Sequence, residues 1–378
     1  MTSSSNASPY CHWMLREIYE QPATLAATLA QYIEGGTFSQ ETCASILAWL
    51  PNIQSKLIVA ASGSSRHAGL YAELVMEDLS GIAVDVEYAS EYCYRSEKSM
   101  VDAAVMVISQ SGETADTLAA LRKASMAGHA TLAITNVDHS SMAREATASF
   151  PTVAGRERAI PATKSFTAQL LNLYLLALMN AAARKAVDTS EIAVRLKEAA
   201  QLPAQIEAQL SGWDDAMRQV ADEYRAAKNF LYLGRGLHYA IAREGALKLK
   251  ESAYLHAEGY PSGELKHGPN ALVAENTPLV MIATVDRSDE NSVQRYEKVL
   301  QLMRDMREQG ANVLAIANSG DEAVGALASR TVYVEERREA LLAICEVIPL
   351  QLLSYWMAVN NGIDVDHPRN LTKAVLAE

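Results

Sequence analysis

A run of hydroxyl side chains around one glycine follows an apolar segment, in the sequence Ser109-Gln110-Ser111-Gly112-Glu113-Thr114. The segment from Ala104 to Ile108 has the composition of a strand, and residues 115–123 have that of a helix. The first N–H groups of a helix have no acceptor within it, so a loop between a strand and a helix can bind an anion. The pattern predicts a phosphate-binding loop, which we call the 109–114 loop. The alternative is a Ser or Thr side chain that caps an ordinary helix.

A second pattern combines two carboxylates and a lysine. Glu244, Lys248 and Glu251 are spaced by four and then three residues, which places them on one face of the helix predicted over residues 239–254. One interpretation is a solvent-facing ladder of ion pairs, which contributes little. The other is a pocket in which the lysine keeps one carboxylate charged while the other acts as a base. His267 follows in a turn-rich loop, where a histidine is either solvated or a group that transfers protons near neutral pH.

Strands that alternate with helices must position these residues. Strand-like segments at 57–60, 83–88, 104–108 and 131–135 are each followed by a helical pattern. This alternation is typical of a parallel sheet covered by helices on both faces, with ligands at the carboxyl ends of the strands. The pattern begins again at Asn229, so the sequence predicts a duplicated α/β domain with one phosphate site for the pair.

Composition excludes several functional classes. The 378 residues are 49% hydrophobic and 21% charged, with a net charge of -12 and scattered basic residues, which disfavours nucleic acid as a partner. Apolar segments at 170–183 and 340–359 are too short or too interrupted to span a membrane and are predicted to be buried helices. The four cysteines lack paired or metal-like spacing, and residues 1–9 do not resemble a signal peptide. These features predict a cytoplasmic protein without a metal or cofactor.

The predicted domain organisation has five parts. They are a disordered lead over residues 1–12, a first α/β domain with N-terminal helices over 13–187, linker helices over 188–228, a second α/β domain over 229–362 and a C-terminal tail over 363–378.

Five segments resemble, in the same order, the isomerase half of glucosamine-6-phosphate synthase, which is a tandem pair of sugar-isomerase (SIS) domains. The segments lie at residues 18–22, 109–117, 243–251, 263–269 and 366–373, and the resemblance extends over nearly the whole chain, from about Trp13 to Glu378. The resemblance implies an α/β fold of two duplicated SIS domains, each a mostly parallel sheet flanked by helices on both faces.

The resemblance also implies roles for individual residues. Glu251 matches the base that moves a proton between carbons 1 and 2 of the open-chain sugar, and His267 matches a ring-opening residue supplied by the partner subunit. Lys248 and Lys373 match catalytic lysines, and Glu244 matches a polar residue beside the substrate. The phosphate cradle corresponds to Ser65, Ser109, Gln110, Ser111 and Thr114.

Two departures from the family pattern bear on function. Ala162 stands at a sugar-binding position where the family usually has serine, so a hydroxyl close to the sugar is missing. The first cysteine is Cys11, whereas the family synthase begins with a glutaminase domain that has an amino-terminal cysteine. We therefore expect a homodimeric hexosamine-6-phosphate deaminase and isomerase that converts glucosamine 6-phosphate to fructose 6-phosphate and ammonia. The alternatives are the reverse reaction with free ammonia, another phosphosugar aldose–ketose isomerase, and a non-catalytic phosphosugar sensor.

Overall fold

The computed structural model describes residues 7–96 and 103–375. The described chain begins with two helices and a short antiparallel hairpin: α1 (Trp13–Tyr19), α2 (Gln21–Tyr32), β1 (Ile33–Glu34) and β2 (Thr37–Phe38). The chain folds into two compact units. One consists of the described residues within 23–156, 164–203 and 374–378, and the other of those within 1–22, 157–163 and 204–373.

The first sheet belongs to the unit that contains residues 23–156. Its strands are β3 (Lys56–Ala61), β4 (Ala83–Tyr88), β5 (Ala103–Ser109), β6 (Thr131–Thr135) and β7 (Ala148–Pro151). The helices are α3 (Ala44–Trp49), α4 (Gly63–Ser80), α5 (Ala89–Tyr92), α6 (Ala115–Met126), α7 (Ser141–Glu145) and α8 (Lys164–Ala183). All neighbouring strands are parallel, in the order β4-β3-β5-β6-β7.

The second sheet belongs to the unit that contains residues 204–373. It follows the long helix α9 (Thr189–Glu223) and comprises β8 (Asn229–Gly234), α10 (His238–Ala253), β9 (His256–Pro261), β10 (Leu279–Ala283), α11 (Glu290–Glu308), β11 (Val313–Asn318), α12 (Glu322–Leu327), β12 (Arg330–Val334) and α13 (Glu339–Asn360). The strands are again all parallel, in the order β12-β11-β10-β8-β9.

The two sheets have the same topology. In each, the first strand pairs with both the second and the third, so the strand order reverses direction between the first and third strands. Ligands in open parallel sheets bind at this reversal, outside the carboxyl ends of the strands. The predicted α/β class and the duplication are confirmed.

Apolar burial explains why the central elements form. Every residue of β5 is buried, and so are those of β6, β10 and β11, as expected for strands covered on both faces. The helices α8 and α13 are long and apolar enough to cross a membrane by composition alone, but 89% of the tested window of each is buried inside the protein. Both are core helices.

Several boundaries differ from the sequence prediction. A single helix, α9, covers most of the predicted linker, and the division between units falls at Pro203 within it. Residues 13–22 belong to the unit that contains the second sheet. Trp13 N–H donates to Asp366 Oδ2 at 2.9 Å, and Tyr19 Oη donates to Asp214 Oδ2 at 2.8 Å. These contacts join residues distant in sequence, which local patterns do not reveal.

The predicted disordered lead also differs where the structure describes it. Residues 1–6 lie outside the described residues. Ala7 is buried, and His12 Nδ1 lies 3.0 Å from Tyr355 Oη in a hydrogen bond. The polar composition of the lead therefore conceals tertiary contacts made by its second half.

Candidate active site

The 109–114 loop follows β5 and leads into α6. The loop that begins at Ser62 follows β3, the strand that pairs with β5, and leads into α4. Both loops therefore lie at the carboxyl edge of the sheet, on either side of the reversal in strand order. This is the position where a parallel sheet of this topology binds ligands.

Hydroxyl groups organise the 109–114 loop from within. Ser109 Oγ and Thr114 Oγ1 are 2.9 Å apart, and Ser109 Oγ also accepts the Gly112 N–H at 3.2 Å. Ser111 Oγ accepts the Glu113 N–H at 3.2 Å. Thr114 occupies the N-cap position of α6, but its side chain makes no capping hydrogen bond. The capped-helix alternative therefore does not describe the geometry of this loop.

Gly112 allows the loop to approach the neighbouring β6–α7 segment. Its φ is +65°, and a Cβ at this position would lie 2.1 Å from Ser140 Oγ. The loop is tied to the same segment by the Ser141 N–H, which donates to Glu113 Oε1 at 2.7 Å, and by the Asn136 N–H, which donates to the Gln110 carbonyl at 3.1 Å. Only glycine fits this backbone without strain.

Ser65 lies in the first turn of α4 and is buried. Gln169, on α8, donates from Nε2 to Ser65 Oγ at 3.1 Å. No sequence pattern indicates Gln169, because the contact joins residues 104 positions apart. A hydroxyl that accepts this bond keeps its own hydrogen available for donation to another acceptor.

The Glu244–Lys248–Glu251 group lies on α10, within one residue of the predicted helix. Glu244 and Lys248 have side-chain exposures of 0% and 1%, whereas that of Glu251 is 22%. Lys248 Nζ lies 3.4 Å from Glu244 Oε1 and 2.5 Å from Glu251 Oε2. The interpretation as a solvent-facing ladder of ion pairs is wrong, since two of the three members are buried.

Burial and charge oppose each other at Lys248. Burial lowers the pKa of its ammonium, but the carboxylates of Glu244 and Glu251 outweigh burial and raise the pKa above its usual value. Lys248 is therefore a cation at neutral pH.

Lys373 and Ala162 lie in the same unit as α10. Lys373 Nζ lies 2.5 Å from Glu157 Oε2 and donates to the Ala159 carbonyl at 2.7 Å. Ala162 lies in the segment from Glu157 to Thr163, which we call the 157–163 segment. No sequence pattern indicates Glu157, although its carboxylate contacts a predicted catalytic lysine.

His267 ends the 3-10 helix Ser262–His267 and is exposed. The neighbouring Lys266 forms an ion pair with Asp305. A cavity of about 500 Å³ opens there and is lined by Lys266, Asn270, Asp305, Glu308 and Gln309. The cavity includes none of the predicted site residues, so it is not a candidate for the site.

The predicted residues thus fall into two groups. The phosphate-binding candidates belong to the unit with residues 23–156, whereas the proton-transfer candidates and Ala162 belong to the unit with residues 204–373. Within residues 7–96 and 103–375, no group of three or more His, Cys, Asp or Glu side chains is arranged to hold a metal ion.

Comparison with known proteins identifies the family. The SIS domain model matches residues 53–179 and 223–361, which is more than half of the chain. The chain belongs to the SIS-domain family. This chain is 41% identical to the glutamine–fructose-6-phosphate aminotransferase (isomerizing) of Chlorobaculum tepidum. The alignment spans 369 residues, which is 97% of this chain. It covers 58% of that relative, so the SIS chain spans somewhat more than half the length of its curated relative.

Solved structures agree with this membership. The C-terminal domain of the glucosamine–fructose-6-phosphate aminotransferase of Francisella tularensis matches with a TM-score of 0.89 and 34% identity, over 97% of the SIS chain and 100% of that structure. The glucosamine-6-phosphate deaminase of Thermotoga maritima matches with a TM-score of 0.69 and 23% identity, over 96% and 99% of the two chains. The second likeness shows the fold alone. The SIS chain is an enzyme of the phosphosugar isomerase kind.

Proposed function

We propose that this chain transfers a proton between carbons 1 and 2 of an open-chain hexose 6-phosphate, with Glu251 as the base. The observation that carries the proposal is the arrangement on α10, where Glu251 is the accessible end of a group whose other two members are buried. Aldose–ketose exchange needs one carboxylate that takes and returns the same proton. Lys248 orients this carboxylate through an ion pair, and because the lysine side chain is buried, its ammonium stays beside Glu251.

The remaining predicted residues take supporting roles in this proposal. The 109–114 loop and Ser65 bind the phosphate through hydroxyl and backbone donors. Lys373 donates to a substrate oxygen on which negative charge develops, and His267 transfers the protons of ring opening. Glu244 stabilises the positive charge of Lys248, and Ala162 leaves room beside the sugar.

We further propose that the amino sugar is glucosamine 6-phosphate and that the products are fructose 6-phosphate and ammonia. Glu251 removes the proton from carbon 2 of the open-chain aldehyde and returns it to carbon 1, while the carbon 1 oxygen gains the proton that the amino group loses. Water then hydrolyses the resulting carbon 2 imine to the ketone and releases ammonia. The relationship to aminotransferases that bear fructose 6-phosphate in their names supports this choice of sugar. In buffer without glutamine or ammonium, the reverse reaction lacks its nitrogen donor, so only deamination can proceed.

An assay of ammonia release from glucosamine 6-phosphate tests the proposal, with the Glu251→Gln protein as the blank and Glu264→Gln as the matched control. Glu264 is an exposed glutamate on the helix that bears His267. Wild-type and control proteins should release ammonia at equal rates. If wild-type turnover equals that of the blank, deamination is refuted. If the protein then exchanges a carbon 1 proton of fructose 6-phosphate with solvent, it is another phosphosugar isomerase. If it binds fructose 6-phosphate without this exchange, it is a sensor.

A further inference from the structure

We propose that Glu157 is a positioning residue that holds the Lys373 ammonium against the 157–163 segment, in the orientation that the reaction requires. The inference rests on the proposed function, because Lys373 takes part in the chemistry only there. The role follows from the contacts of Glu157 alone.

The two carboxylate oxygens of Glu157 have separate partners. Oε2 lies 2.5 Å from Lys373 Nζ, and Oε1 accepts the Thr163 N–H at 3.0 Å. The Glu157 side chain is fully buried, while that of Lys373 is 26% exposed. A buried carboxylate needs a compensating cation and hydrogen bonds. Glu157 therefore joins the C-terminal residues to the 157–163 segment and fixes the ammonium at the edge of solvent.

The donor geometry of Lys373 supports a positioning role. A lysine ammonium has three N–H donors. One points to Glu157, and a second donates to the Ala159 carbonyl at 2.7 Å. With two donors directed into the protein, the orientation of the third is fixed. We expect this third N–H to donate to the substrate oxygen that becomes negative in the transition state.

A second buried carboxylate provides a matched control. Glu17 is 1% exposed, and it accepts the backbone N–H groups of Arg158 at 2.5 Å and Ala159 at 3.1 Å. Glu17 thus supports the same segment through its backbone, whereas Glu157 contacts the lysine itself. Replacing each by glutamine separates support of the segment from positioning of Lys373.

The first test measures the rate at which Lys373 is acetylated in the folded protein, followed by mass spectrometry, with the exposed Lys197 as internal reference. Glu157→Gln should raise the Lys373 rate at least threefold, because the ammonium loses its buried ion pair. Glu17→Gln should leave that rate within about twofold of wild type. Equal Lys373 rates in wild type and Glu157→Gln would overturn the proposal. This readout is independent of enzymatic activity, so it stands even if the proposed function fails.

The second test is a double-mutant cycle on turnover. Glu157→Gln should lower kcat about tenfold with little change in KM, and it should have no further effect in a Lys373→Met background. An equal loss in both backgrounds would show a merely structural role and overturn the proposal. Glu157→Asp retains the charge and should recover part of kcat. If Glu157→Gln does not fold, Glu157→Asp serves in both tests, with a smaller expected change in the Lys373 acetylation rate and no change as the contradicting result.

Discussion

Glu251 combines two properties that a proton-transfer base requires. It is accessible enough to meet a substrate, and its carboxylate is oriented by a lysine that is itself buried. Glu244, behind the lysine, is completely buried and supplies a second negative charge. The proposed base is therefore one member of a preorganised set, so we expect changes to the buried members to affect the proposed reaction as well.

Replacing Glu251 by glutamine tests its proposed role as the base. Glu251→Gln keeps the shape of the side chain and one oxygen that can accept from Lys248, but it cannot accept the proton, and we expect a fall in kcat of about 10²- to 10⁴-fold. Steady-state kinetics should show the loss in kcat, while the affinity for fructose 6-phosphate in calorimetry stays within about threefold of wild type. A variant that retains more than a tenth of wild-type kcat would contradict the role of Glu251.

The 109–114 loop can be tested through its glycine. In Gly112→Ala the new Cβ would overlap Ser140 Oγ, so the loop must move and the affinity for inorganic phosphate, measured by calorimetry, should fall about tenfold or more. Gly128→Ala is the matched control, because Gly128 also has a positive φ, +83°, but its added Cβ meets nothing within 4 Å. Equal phosphate affinity in the two variants would contradict a phosphate site at this loop.

At the scale of elements, α10 is fixed to α13 by a buried ionic network. His238, at the start of α10, lies 2.9 Å from Glu346 Oε2 and 3.0 Å from Glu339 Oε1, and Arg295 pairs with Glu339 from α11. Burial lowers the pKa of His238, but the two carboxylates outweigh burial and raise the pKa to about 10. The helix that carries the candidate base is thus anchored by an imidazolium at its first residue.

This network predicts a pH dependence of stability. Because the pKa of His238 is raised on folding, its contribution is complete below about 6.5 and is lost as the pH rises towards about 10. Chemical denaturation at several pH values should show that His238→Gln lowers the free energy of unfolding by about 3 kcal/mol at pH 6 and by less at pH 9. His139→Gln, at an exposed histidine, is the control. A pH-independent difference between His238→Gln and wild type would contradict an imidazolium at this position.

Sequence patterns reveal the central elements better than the edges. The strands β3, β5, β6 and β8 were predicted because buried parallel strands are continuously apolar, and of the edge strands β4 was predicted as well. The edge strands β7, β9 and β12 were not, because they are short or carry polar residues. For the same reason the segment before His267 was taken for a loop, whereas Tyr260 and Pro261 end β9.

The residues of the candidate site also differ in whether a local sequence pattern reveals them. Spacing alone placed Glu244, Lys248 and Glu251 on one helical face, and a strand followed by hydroxyls indicated the 109–114 loop. Neither Gln169 nor Glu157 could be found in this way, because each contacts its partner across more than 100 residues. Such contacts depend on the tertiary fold and leave no local pattern.

At the scale of the whole molecule, the duplication produced two sheets of one topology with different chemistry at their carboxyl edges. The first carries hydroxyls at the 109–114 loop. In the second, the corresponding turn after β10 contains Asp286, whose Oδ1 accepts the Ser288 N–H at 2.9 Å and whose Oδ2 accepts the Glu339 N–H at 3.3 Å. A carboxylate of the chain thus accepts backbone donors at this edge, and one phosphate site for the pair stays a prediction.

A shared site between subunits is the prediction that concerns the assembly. If His267 acts on the substrate of a partner subunit, mixing inactive His267→Ala and Glu251→Gln proteins under subunit exchange should restore about a quarter of wild-type activity, because half of the dimers are hybrids with one complete site. Ammonia release measures the recovery, and each protein exchanged with itself is the control. No recovery despite hybrid dimers detected by native mass spectrometry would place His267 and Glu251 of one chain in the same site.

The most direct measurement is solvent exchange of the carbon 1 protons of fructose 6-phosphate. Wild-type protein is incubated with the sugar in deuterated water, and proton NMR follows the signal. We predict that one carbon 1 proton is replaced by deuterium with the wild-type protein, and that Glu251→Gln, although it still binds the sugar, shows no replacement above the protein-free rate. Binding of fructose 6-phosphate by the wild type without any exchange, or equal exchange in the variant, would contradict proton transfer by Glu251.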